Sequence, residues 1–545
     1  MSWLASVVVF AYFTDWSGFT IAPRLTLAAS IAAAAAIFFW LQRGARWRAV
    51  EIAAFTGVIG VVLGWLAWLA WPELLPPGGG SDLAHHLQLV DYIERHWRLV
   101  HDPALGAVMG EMADYTPGVH LLAALAGAWT RTDGLHTIYP IVAMSVAVKA
   151  SLVFAITVRV LHPSSHARVP FGIAAAVLLF APREYFLRSF TEHSFLAQVV
   201  SELFAVAMWW ALVAWDERPS IAATVVFAIA GVGAFLTWPV WIGPLLLAQA
   251  ATMALRGDLP VRERVTAMLT AGGPIAIVAA VHAIGRVHAA GIAATSGFVV
   301  WPSIEMFGVW FLVLAAIGVV VSMTIVPSRP TVWLIASIAL QAAALFVVAT
   351  RSGADRPYLA LKMMYLAIYP MAVAGTVALA IVGRAVQARL DGGPNSAAPR
   401  VHRLAHIVWL VPVVLAVMVG RPLLKEPRAK PVVSQPMALA GRWARESLPA
   451  ACIDYLVQDD DSAYWLHLAV LGNARQTART RDPATFDPKA ALIRWIQPAG
   501  LPYAIADDFD ALPKDIRSSV DVVQRFGPAA VVKRRGPSTC TEGNR

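Results

Sequence analysis

The sequence predicts a polytopic α-helical membrane protein of about thirteen transmembrane helices with a small C-terminal α/β domain. Three observations predict it. Of 545 residues, 58% are hydrophobic and only 14% charged, whereas a soluble domain carries about 25% charged residues. Apolar runs of about 17–25 residues, the length that crosses a bilayer, recur along the chain. Arginines gather in the short loops between those runs, in the alternating pattern of the positive-inside rule.

The net charge of +9 belongs to those loops. No basic stripe interleaved with aromatics is present, which excludes nucleic acid as a partner. The opening "MSWLASVVVFAYF" lacks a basic n-region and a small-residue cleavage site, so it reads as a retained helix.

Taken in order, spans are expected at about 1–18, 23–42 and 51–71. Arg43, Arg46 and Arg48 lie between the second and third. That loop is therefore expected in the cytoplasm, with the N-terminus, and 73–136 forms a large outer loop. Residues 116–130 are apolar but short, and crossing there would put Arg159, His162 and Arg168 outside. An interfacial helix is the consistent reading. The loops at 216–220, 256–264, 328–330 and 384–403 fall inside; 183–193, 237–239, about 287–306 and 351–362 fall outside. A last span at about 404–420 ends the transmembrane part (1–420) and delivers 421–545 outside. There, short apolar runs separated by Pro, Gly and Asp predict a small α/β domain. Both cysteines, Cys452 and Cys540, lie in it. With no ligand cluster around either, they read as a disulfide in an oxidising compartment or as two free thiols.

Three polar clusters interrupt this apolar chain on the outer side. In "PPGGGSDLAHHLQLVDYIERHW" (76–97), prolines and glycines end one helix and Ser81 is placed to cap the next. Leu83, Leu87, Val90 and Trp97 recur at helical spacing, predicting an amphipathic helix over 82–98 on the membrane surface. Asp82, His85 and His86 share one face of it. They read either as a dipole-favoured aspartate with interfacial histidines or as a reactive set. The second cluster, "PREYFLRSFTEHSF" (182–195), holds Arg183, Glu184, Arg188, Glu192 and His193. These are either an i,i+4 ion pair or the lining of a wet cavity. The third, "TRSGADRPYLALKMMYLAIYP" (350–370), holds Arg351, Arg356 and Lys362 with Tyr358 and Tyr365. It reads as snorkelling cations in an aromatic belt or as a cationic pocket for phosphate. All three clusters face the same side at the same membrane level, which favours one shared site.

An acidic residue in the first large outer loop ("SDLAHH"), an amphipathic helix, and an aromatic-x-Pro-Gly segment ("YTPGVHLLAAL", 115–125) follow one another here. A span with a basic cytoplasmic turn and a short span leading to "LRSFTEHSF" come next. This order over roughly residues 51–370 resembles the GT-C glycosyltransferases, in the branch of protein O-mannosyltransferases and the aminoarabinose transferase that modifies lipid A. The resemblance implies that Asp82 is the catalytic base and Glu192 the second acidic position. It places Lys362 and Arg356, joined by Arg351 and Arg188, near the donor phosphate. Tyr115, His120, Tyr358 and Tyr365 would line the substrate pocket. Some members hold a divalent metal, to which His85, His86 or His193 would add ligands. The chain departs from the pattern in two places. Its first motif is Asp-x-x-His-His rather than an acidic pair, and two spans precede the family's usual first helix.

The function so implied is transfer of a sugar from a polyprenyl-phosphate donor to an envelope acceptor at the outer face of a bacterial inner membrane, with inversion. A nucleotide donor, and hence a Gly-rich phosphate loop, would have no place there. The rival reading is a transporter or lipid flippase, which needs polar residues at mid-membrane; Lys149, His282 and Gln341 are its candidates. A scaffold for envelope assembly would leave the three clusters unused.

Overall fold

Two helices, α1 (Ser2–Trp16) and α2 (Pro23–Leu41), open the chain in a computed structural model. It describes residues 1–41, 48–78, 80–161, 167–284, 299–390, 408–424, 428, 430–470, 472, 486–497, 500–538 and 540. Much of the expected loops at 287–306 and 384–403 lies outside the described residues. Asp15, at the end of α1, accepts a hydrogen bond from the Leu99 amide (2.9 Å) and pairs with His101 at 2.8 Å. The hairpin is thereby tied to the outer loop. Next come α3 (Ala49–Leu69), α4 (Ser81–His96), α5 (Gly118–Thr130), α6 (Gly134–Val160) and α7 (Arg168–Leu178). The apolar body continues with α8 (Leu196–Glu217), α9 (Ile221–Thr237), α10 (Ile242–Ala254) and α11 (Val261–Ala283). It ends with α12 (Val309–Ser322), α13 (Arg329–Arg351), α14 (Tyr358–Leu390) and α15 (Leu410–Leu423).

Seven of these helices are long and apolar enough to cross a membrane, and six apolar segments are shorter. The protein is an integral membrane protein. The core sits where α6 packs against α3, α5, α7 and α8, and where α14 packs against α12, α13 and α7. Helix α5 has only 13 residues, about 20 Å at 1.5 Å per residue, well short of a bilayer. It lies between α4 and α6 with Gly118–Leu125 buried.

Helix α4 departs from the surface helix expected. Gly80, not Ser81, occupies the N-cap, and every residue from Leu83 to Val90 is buried, histidines included. The apolar stripe meets α5 and α6, while the opposite face is covered by the C-terminal domain. That domain begins with α16 (Gln435–Ser447), whose Arg442 pairs with Asp133 at 2.9 Å and whose Arg445 pairs with Asp91 of α4 at 3.0 Å. It continues through β1 (Ile453–Leu456), α17 (Asp460–Trp465), α18 (Pro488–Ile496), β2 (Tyr503–Ala506), β3 (Val520–Phe526) and β4 (Ala529–Arg534). The four strands form one sheet in the order β1-β2-β4-β3, with β1 and β2 parallel and the other pairs antiparallel. A disulfide joins Cys452, just before β1, to Cys540, beyond β4, with Cα atoms 5.5 Å apart.

The glycine run before α4 earns its composition at Gly78. Its φ is +69°, and an added Cβ would run into the backbone carbonyl of Thr191. Its amide also donates to the Lys430 carbonyl at 3.2 Å. The outer loop thus lies against the second polar cluster on one side and the C-terminal segment on the other. Gly78→Ala is expected to cost about 1–3 kcal/mol, read as a lowered thermal midpoint in detergent.

Candidate functional site

The three clusters converge at one end of the helix bundle. On α4, His86 Nδ1 lies 2.9 Å from His120 Nε2 on α5. Both rings contact Tyr115, at centroid distances of 5.8 and 5.7 Å. The hydroxyl of Thr116 donates to the Thr237 carbonyl at 3.0 Å, which brings Tyr115 beside Trp238, ring to ring at 5.7 Å. Asp82, half-buried at the start of α4, acts electrostatically on Tyr115, Tyr358 and Lys362. Burial, reinforced by Asp82 and Glu111, pushes the Tyr115 phenol well above its ordinary value.

Lys362 is the least expected member in its surroundings. Pro357 starts the helix, and Tyr358, Lys362, Tyr365 and Tyr369 then fall on one face of α14. The Lys362 side chain is only 2% exposed. Its ammonium sits 3.2 Å from the centroid of Phe195, 4.7 Å from Tyr358 and 5.4 Å from Trp238. No carboxylate among the described residues comes within ion-pair distance of it. Two buried donors nearby, Trp238 Nε1 and the Tyr365 hydroxyl, also have no hydrogen-bond partner among the described residues. Tyr365 touches Phe195 and Tyr185, at 5.7 and 5.1 Å. A caged cation with unused donors beside it is an arrangement that an anionic oxygen-rich group would complete.

The second cluster abuts this cage through His193, which stacks on Phe195 at 5.3 Å. His193 Nε2 pairs with Glu184 at 2.8 Å, and Arg188 bridges Glu184 (3.5 Å) and Glu192 (3.2 Å). The bond to His193 holds the Glu184 carboxyl below its ordinary value. Glu184 is therefore the buried acid here; the side chain of Glu192 is 49% exposed. Arg351 and Arg356 are exposed, at the end of α13 and in the turn before α14. Hydropathy alone did not separate Glu184 from Glu192, because both lie in one polar stretch.

The histidines proposed for a metal make other bonds. His85 Nε2 meets the Tyr464 hydroxyl at 3.1 Å, and its Nδ1 lies 3.6 Å from Glu111. His86 is turned to His120 and His193 to Glu184. Among the described residues the one close group of three possible ligands is the Asp459–Asp460–Asp461 run of the C-terminal domain. Among the described residues, no group of three ligand atoms within reach of one ion includes Asp82, His85, His86, Glu192 or His193.

The residues that sequence reasoning missed are Phe195, Trp238, Glu111 and Tyr464, while Glu184 reads in the sequence only as one charge of the second cluster. Tyr464, from the C-terminal domain, also packs edge-on against His85 at 5.6 Å. The only signal for Phe195 and Trp238 is that each borders a break between apolar helices.

Burial keeps the His86–His120 pair neutral. It drives His120 down to about 3 and, with the charges of His120, His85 and Lys362 added, holds His86 well below its ordinary value. An unfolded histidine takes up a proton below about pH 6.5, whereas the folded pair does not. Stability is then full above about pH 6.5 and falls as pH drops toward 3, by up to about 1.4 kcal/mol per group per pH unit. Thermal unfolding between pH 8 and 5 should show a plateau and then a decline. His120→Asn should flatten that decline.

No family model and no curated protein matches the chain. Among solved structures it is similar to ArnT from Cupriavidus metallidurans in the apo state, at 13% identity and a TM-score of 0.47, covering 88% of this chain and 98% of that one. The same protein bound to undecaprenyl phosphate matches at 15% identity and a TM-score of 0.45, over 88% and 97%. The Archaeoglobus fulgidus oligosaccharyltransferase tethered with an acceptor peptide matches at 13% identity and a TM-score of 0.48, over 84% and 69%. The function proposed below therefore rests on the site and not on these likenesses.

Proposed function

We propose that this protein is a glycosyltransferase that moves a sugar from a polyprenyl-phosphate donor to an envelope acceptor at the extracytoplasmic face of a bacterial inner membrane. The observation that carries the reading is Lys362, a buried ammonium caged by Phe195, Tyr358 and Trp238. An unpaired charge out of water is costly, and a phosphate would supply the missing anion. Such a phosphate would reach the cage with its lipid tail in the bilayer, because α14 is itself a membrane helix.

Asp82, across the same space, is placed to remove the proton of an acceptor hydroxyl. The acceptor oxygen then bonds to the anomeric carbon as the carbon–phosphate oxygen bond breaks. Charge developing on the leaving phosphate falls beside Lys362, with Trp238 Nε1 and the Tyr365 hydroxyl as donors. Attack opposite the leaving group inverts the anomeric centre. Arg351 and Arg356, exposed at the edge, would guide the phosphate inward, and Arg188 would hold Glu184 and Glu192 in place. The buried histidines and Tyr115 would form the wall on the acceptor side.

Placement of the N-terminus inside and residues 421–545 outside, with thirteen spans in all, belongs to the same proposal. The Cys452–Cys540 disulfide supports it, since such bonds persist in oxidising compartments. The transporter reading's candidates have internal partners: Lys149 pairs with Glu202 at 2.5 Å, His282 meets the Tyr12 hydroxyl at 2.9 Å, and Gln341 donates to the Val240 carbonyl at 2.9 Å.

The test is turnover of a panel of polyprenyl-phosphate sugars by the purified protein. Release of free polyprenyl phosphate from one donor, with an inverted product by NMR, is the expected result. A panel that neither binds nor turns over would end the reading.

A further inference from the structure

A cavity of about 1920 Å³ lies at the opposite end of the bundle from the Lys362 cage. The run of the chain fixes that position. Helices α3, α6 and α8 each have one end near the candidate site and the other at this cavity, where Arg48, Arg159 and Glu217 stand. Helix α1, with 15 residues, reaches about 22 Å at 1.5 Å per residue. The cavity is lined by Met1 and Trp3, by α2 on the outside and by α9 within. The walls are apolar, with Ile31 and Phe38 of α2 more than half exposed beside Trp40 and Val226.

The mouth is charged. Arg159 pairs with Glu217 at 2.5 Å while lying over the Trp210 ring at 5.5 Å, and Arg168 pairs with Glu51. Arg48 and Arg218 line the same mouth, and neither pairs with a carboxylate among the described residues. Four arginines thus face two carboxylates at the end of an apolar hollow.

We propose that this cavity is a binding site for an anionic phospholipid of that leaflet, its phosphate held by Arg48 and Arg218 and its acyl chains filling the hollow beside α2. Apolar walls select tails, and the excess cations select a negatively charged headgroup over a zwitterionic one. A soluble phosphate would use the mouth but leave the walls unoccupied. The lipid would wedge the α1–α2 hairpin against α3 and α9. This site is independent of the donor site and of the reaction proposed for it.

The test uses the full-length protein in nanodiscs of phosphatidylcholine, with and without phosphatidylglycerol, together with mass spectrometry of lipid retained through detergent purification. The wild type should retain phosphatidylglycerol preferentially and melt higher in its presence, an effect weakened by salt. Arg48→Gln with Arg218→Gln should cut retention roughly tenfold or more, as expected for two phosphate-facing cations, and abolish the thermal shift while melting normally in phosphatidylcholine alone. Ala34→Trp, which fills the hollow and leaves the arginines in place, should lose retention as well. Equal retention of neutral and anionic lipid by the wild type would overturn the proposal. So would full retention by either variant.

Discussion

Asp82→Asn should lower sugar transfer by about 10²–10⁴-fold, the usual contribution of a general base, while donor binding is retained. The amide keeps the size of the side chain and its place at the start of α4, so the fold and the Lys362 cage are preserved. What it removes is the capacity to accept a proton and the negative charge that faces Lys362 and Tyr115. Turnover and binding must be measured separately, because losing that charge also leaves the cage more positive and should, if anything, tighten a phosphate. Glu192→Gln is the control: its side chain is half in solvent and paired to Arg188 at 3.2 Å, so only a small change is expected. If the two variants behaved alike, Asp82 would not be the base.

The second large effect is on stability. Glu202→Leu should cost about 3–5 kcal/mol, the penalty for leaving one buried charge without its partner. Lys149 and Glu202 are both fully buried and 2.5 Å apart. Tyr369 donates to the same carboxylate at 2.6 Å and Gln198 at 3.2 Å. Three membrane helices, α6, α8 and α14, are pinned at this point. Replacing both charges, as Lys149→Met with Glu202→Leu, should recover most of the loss, since paired removal leaves no orphan ion. Denaturation in detergent of the single and double variants measures the difference. A single variant as stable as the wild type would show that the pair contributes nothing to stability.

The fold class was legible in the sequence because lipid imposes length and hydropathy on whole segments. The observed bounds of α2, α3 and α4 lie within a few residues of those expected, and α5 is as short as its apolar run. The face of α14 carrying Tyr358, Lys362 and Tyr365 could be read from its spacing alone. What could not be read was anything decided by contact between distant segments. The covering of α4's polar face depends on Arg445 and Tyr464, far along the chain. The partner of Lys149 lies on another helix 53 residues away. Nor does composition distinguish a snorkelling lysine from a caged one. That difference rests on Phe195 and Trp238, two aromatics in a chain already rich in them.

The hydrogen bond between His85 and Tyr464 joins residues 379 positions apart, and it has a consequence for biogenesis. During synthesis α4 emerges early, and its His85 face stays bare until the C-terminal domain that carries Tyr464 has been made. The site is therefore the last part of the molecule to close. A chain halted before Tyr464 would leave His85 without this partner. Synthesis of the C-terminal domain is thereby what closes this face of α4.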